Sequence, residues 1–116
     1  MTNEELTKDA KYLLAAAYSQ YLEQIKLGTL KSDAKNIGHA QVIKDNLMPE
    51  WQLEDVNETC FELKHAGFFN TTGGSHIAYS NSISNKGIVY MENQFKDNLS
   101  NVFKFMKEIK DLIPFI

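Results

Sequence analysis

The chain has 116 residues, 43% hydrophobic and 23% charged, a balance that excludes a disordered or collagen-like polymer and fits one small globular domain. At this length folding buries roughly two-thirds of the unfolded surface, enough for one core but not for a core with a deep substrate cavity. Twelve basic residues face fifteen acidic ones for a net charge of -3, and every basic residue is a lysine, so the arginine fork that grips guanine and phosphate is missing.

Thr2 and Glu5 have capping-box spacing, and Leu6, Ala10, Leu13, Leu14, Ala17, Tyr21 and Ile25 follow at three-and-four intervals toward Gly28. This predicts an N-terminal helix over residues 1–28. Tyr18 and Leu22 widen its apolar face, which fits either a helix deep in its own core or a dimer face. Ser32 or Asp33 caps a second, short helix with Ile37, Ala40, Ile43 and Leu47 along one side, ended by Pro49. From about Gln52 the pattern restarts with Leu53, Val56, Cys60 and Leu63, and Gly67 supplies the stop of a third helix.

Phe68 to Thr71, the Thr72-Gly73-Gly74 tip and Ser75 to Ser80 predict a two-stranded hairpin, with the glycine pair supplying positive φ. Ser84 caps a helical turn from Asn85 to Glu92, although Gly87 to Met91 reads equally well as a strand on propensity. Leu99, Val102, Phe103, Met106, Ile109, Leu112 and Ile113 then share one face of a closing helix, with lysines 104, 107 and 110 mostly opposite and Pro114 at its end. The order is helix, helix, helix, hairpin, helix: an N-terminal helix (1–28), a helix-turn-helix with its wing (34–92) and a C-terminal helix (95–113) in one domain.

That order is the order of a winged helix, and Leu63-Lys64-His65-Ala66-Gly67-Phe68-Phe69 resembles the segment that leads such a helix into its wing. Ile83 to Glu92 is similar to a segment of the YjcQ-type family of small bacterial proteins, in which a hydroxyl residue caps a helix running through Lys-Gly. Phe105 to Pro114 resembles that family's lysine-rich closing helix. The resemblance spans roughly residues 36 to 114 and favours helix for the ambiguous 85–92 segment. It implies an α+β, mostly helical winged helix-turn-helix, a fold that most often binds DNA and less often serves as a protein-interaction module.

With Leu53, Val56, Cys60 and Leu63 inward, the outward face of the third predicted helix carries Glu54, Glu58, Glu62 and His65, flanked by Asp55 and Phe61. Between Ala34 and Ala66 three lysines stand against six acids, so the helix that would enter the major groove repels DNA. Glu54 and Asp55 suit a helix first turn, and Glu58 and Glu62 a solvated face. Phe61 has three readings: covered under the wing or by the second helix, a partner-binding anchor, or a contact to a thymine methyl.

Cys60 is the sole cysteine, so no internal disulfide or CxxC pair exists. The acidic start Met1-Thr2-Asn3-Glu4-Glu5 lacks a secretory pattern, and the apolar run Leu13 to Tyr18 is too short for a bilayer. A cytoplasmic location is expected. His39, His65 and His76 show no i, i+4 pairing for a metal, and Ser75 beside His76 on a strand cannot share a proton. No phosphate-binding glycine loop is present. The sequence therefore predicts a non-enzymatic, regulator-like winged helix without cofactor, metal or catalytic residues. The alternative is a protein-interaction module built on the acidic third helix and Phe61. Candidate contacts to DNA or a partner are Asn57, Glu58, Phe61, His65, Thr72, Ser75 and Lys86. A homodimer is expected through Tyr12, Tyr18, Leu22, Phe115 and Ile116.

Overall fold

The computed structural model describes residues 5–114, so the proposed cap at Thr2 and the apolar tail Phe115-Ile116 lie outside the described residues. Within them the chain forms an α+β fold of six helices and one three-stranded antiparallel sheet. No described helix is long and apolar enough to cross a membrane.

Helix α1 (Lys8–Lys26) starts later than its pattern suggested, because Thr7 is its cap: the Thr7 hydroxyl accepts from the Ala10 amide at 3.2 Å. Every residue from Tyr12 to Ser19 is buried. A helix apolar on nearly all sides belongs in an interior, and α1 is packed against the other helices rather than beside them. Its main neighbour is α6 (Leu99–Asp111), with contacts also to α2 (Lys31–Ala34), α4 (Leu53–His65) and α5 (Asn85–Phe95). The described members of the expected dimer face, Tyr12, Tyr18 and Leu22, are buried within the chain. Tyr12 stacks on Trp51 with ring centroids 4.9 Å apart, Tyr18 is fully buried with its hydroxyl donating to the Lys96 carbonyl, and Leu22 is 8% exposed. α1 closes in a Schellman motif, the Gly28 amide bonding to Ile25 and the Thr29 amide to Gln24.

The second predicted helix is divided. Its span holds α2, a strand β1 (Asn36–Gly38) and α3 (Ala40–Asn46). Ile37 keeps its inward position but reaches it from a strand, and Gly38 takes φ +91°, which ends any helical path there. His39 then caps α3 with its ring Nδ1, which accepts from the Gln41 amide at 2.9 Å. The sheet accordingly has three strands rather than two, in the order β1-β3-β2, with β2 at Phe69–Gly74 and β3 at Ile77–Ile83.

α4 ends as its Gly67 suggested, in a second Schellman motif: the Gly67 amide bonds to Lys64 and the Phe68 amide to Leu63, both at 2.9 Å. The hairpin tip is displaced by one pair. Positive φ falls on Ser75 and His76, the two-residue turn, while Gly73 and Gly74 are the end of β2. Gly73 serves close approach instead, since a Cβ there would stand 2.2 Å from the Ile77 carbonyl oxygen and 3.0 Å from the Phe61 ring. Segment 85–92, which read equally well as strand on propensity, is helical, and α5 runs on to Phe95. The Ser84 hydroxyl accepts from Gly87 and donates to the Gly67 carbonyl at 2.6 Å, so one side chain starts α5 and fastens it to the end of α4. In α6 Val102 is buried, yet Phe103 and Leu112, expected on the inner face, are largely exposed.

Candidate functional site

The outward face of α4 is the floor of an open groove of about 910 Å³ walled by the start of α1 and the hairpin turn. Five carboxylates line it, from Asp9, Glu54, Asp55, Glu58 and Glu62, with His65 and His76 and no lysine. Two of the five are already engaged. Glu62 accepts from the Thr7 amide at 2.8 Å and from its hydroxyl at 2.7 Å, and Asp9 accepts from the Trp51 indole at 2.9 Å. Glu54, Asp55 and Glu58 are exposed and face the groove.

The structure brings some of the candidate contacts together and removes others. Glu58, Phe61, His65 and Ser75 line the groove. Phe61 is half-buried, packed on the core and against Gly73 of the hairpin, with part of its ring left in the groove. His65 contacts the Phe61 carbonyl through Nδ1 at 2.7 Å. Asn57 also borders the groove, but its side chain is buried and its polar atoms are engaged internally: its carbonyl oxygen accepts from the Ala78 amide at 2.8 Å and its amide donates to Leu53, tying β3 to α4. Thr72 is exposed on β2 but outside the groove lining. Lys86 also stands away from it, donating to the Ala66 carbonyl at 2.9 Å and lying 5.3 Å from the Phe68 ring centroid, where its charge complements the end of α4.

Thr7, Asp9 and His76 belong to the groove and were not among the contacts expected from the sequence, where His76 was weighed only for metal or proton-transfer chemistry. Thr7 carried a usable signal, a hydroxyl residue immediately before an apolar periodic run. Asp9 and His76 carried none, because only the tertiary fold brings them to α4. Cys60 lies on the opposite, inner side, where burial pushes its thiol up to about 12 from 9.0, so it is protonated and inert at neutral pH. Among the described residues no three His, Cys, Asp or Glu side chains converge to hold a metal ion.

Comparison with family models, curated proteins and solved structures gives no match. The functional reading rests on the groove.

Proposed function

We propose that residues 31–83 form a winged helix that binds a basic segment of a protein partner in the acidic groove, without enzymatic activity. Supporting the fold are the element order α2, β1, α3, α4, β2, β3 and the strand order β1-β3-β2, together with the segments that resemble the YjcQ-type family. The observation that carries the function is charge: five carboxylates and no lysine line the concavity that α4 and the wing enclose. Such a field attracts lysine- or arginine-rich chains and repels phosphate. The half-covered Phe61 ring offers an apolar anchor at its floor. A reduced, buried Cys60 suits a cytoplasmic setting.

The regulator reading is supported by the same element order, since winged helices commonly place the third helix of the motif in the major groove. It needs cations that α4 does not carry. One titration separates the two: fluorescence anisotropy of a labelled oligolysine peptide and of a random-sequence DNA duplex, each at low and raised salt. The peptide is expected to bind in the range of about 1–100 μM, weaken with salt, and lose at least about tenfold on Glu58→Lys or Glu54→Lys. Duplex binding that survives those variants, with no peptide binding, would overturn the proposal and restore DNA as the ligand.

A further inference from the structure

On the other side of α1, away from the groove, α1, α5 and α6 leave a crevice of about 160 Å³. Leu14 and Met91, both buried, form its base, and Leu6, Tyr90 and Phe105 its walls. Two polar residues stand among these apolar ones: Lys11 and Gln94, both exposed. Among the described residues the Lys11 ammonium has no hydrogen-bond or ion-pair partner. The volume is that of roughly five waters at about 30 Å³ each, room for an apolar body of about six carbons. A crevice with an apolar base and one cation and one amide among its walls combines burial of a hydrocarbon with a charge-assisted bond to a single anionic head.

We propose that this crevice is a binding site for a small organic carboxylate, the hydrocarbon body lying between Leu14, Met91 and Phe105 and the carboxylate meeting Lys11 and Gln94. A phosphorylated ligand fits less well, because one lysine and one amide satisfy a carboxylate's two oxygens but leave a dianionic head under-neutralised. Tyr90 lines the crevice and also lies against Phe68, ring centroids 4.6 Å apart, so its resonances report occupancy from inside the core.

The test is an amide-correlation NMR titration of the whole protein with hexanoate, with hexanamide as the uncharged control. A ligand of this size is expected to bind with Kd on the order of 1 mM. Saturable shifts should cluster at Lys11, Leu14, Met91, Gln94 and Phe105. Lys11→Met, an exposed position that leaves the fold intact, should weaken hexanoate by about two- to fivefold while leaving hexanamide unchanged. Equal binding of acid and amide, insensitivity to Lys11→Met, or shifts clustering elsewhere would each overturn the proposal. Gln94→Ala supplies the second variant, with a smaller loss expected for the same acid.

Discussion

Asn81 is 1% exposed, yet every polar atom of its side chain is satisfied. Its oxygen accepts from the Thr71 hydroxyl at 2.8 Å, and its amide donates to the carbonyls of Gly38 at 2.9 Å and Ala78 at 3.3 Å. One residue of β3 thus fastens β2 on one side and β1 on the other. Asn81→Ala would leave the Thr71 hydroxyl and the Gly38 carbonyl without these partners in the interior, a loss expected to be about 2–4 kcal/mol and a Tm lower by roughly 10 °C. Thr71→Val should cost about half as much, measured by urea denaturation. A loss below about 1 kcal/mol for Asn81→Ala would show that water replaces the bonds. Nothing in the sequence marked this residue. A polar side chain in a short alternating strand reads as surface, and only the third strand, itself unread, makes it interior.

Buried proton donors give a second expectation at this scale. Burial lifts the Tyr18 phenol from 10.0 to about 12 and the Cys60 thiol from 9.0 to about 12, and it raises Tyr12 and Tyr21 in the same direction. These groups hold their protons longer folded than unfolded, so above the unfolded values the folded state binds more protons and stability falls as pH rises. The decline begins near pH 9 with Cys60, steepens above pH 10 with Tyr18, and is complete near 12. Each group contributes a slope of up to about 1.4 kcal/mol per pH unit. Circular dichroism across this range should show alkaline unfolding, and Cys60→Ala should delay its onset. A thiol reagent should leave native Cys60 untouched near neutral pH and modify it at once in denaturant.

At the scale of elements, the joint between α1 and α4 is the most exposed to a direct test. Glu62 faces the groove but acts on α1, accepting both the amide and the hydroxyl proton of Thr7 while Thr7 in turn caps the helix. Thr7→Ala and Glu62→Gln are each expected to cost about 0.5–2 kcal/mol, and a double-mutant cycle should return a coupling of at least about 0.5 kcal/mol. Additive losses would mean the two caps work independently.

The boundaries that periodicity gave well are those fixed by local chemistry: Gly28, Gly67 and Ser84 sit where a left-handed cap or a hydroxyl cap is needed, and each was legible. What failed were elements fixed by distant partners. Ile37 has helical spacing to Ala40 and Ile43, but pairing of Asn36 and Gly38 with Ser82 and Asn81 takes that stretch into the sheet. Gly73 looked like a turn residue because glycines usually are. Its role is set by the Ile77 carbonyl and the Phe61 ring across the hairpin, which no local window contains. The candidate site divides the same way. Helical geometry alone placed Glu58, Phe61 and His65 outward, whereas the internal hydrogen bonds of Asn57 and the detachment of Lys86 required the hairpin and α5 to be in place.

For the whole molecule, burial of α1 changes what the surface offers for self-association. The wide apolar face that suggested a dimer is consumed by α2, α4, α5 and α6 within one chain. Among the described residues, the large apolar side chains that remain exposed are Leu27, Leu30, Val42, Tyr79, Val89, Phe103 and Leu112, drawn from six places in the chain with no more than two from any one helix. A stable symmetric interface needs roughly 800 Å² of matched surface on each partner, with a contiguous apolar centre. Residues drawn from so many separate elements are a poor basis for such a centre, and a net charge of -3 adds mutual repulsion. Sedimentation equilibrium is therefore expected to return the monomer mass of 13.2 kDa across a wide concentration range. A species of twice that mass would overturn the expectation, and Phe103→Lys would then test whether the exposed flank of α6 is the contact: dissociation would place it there, because a charge buried without a partner at the centre of an interface is strongly unfavourable.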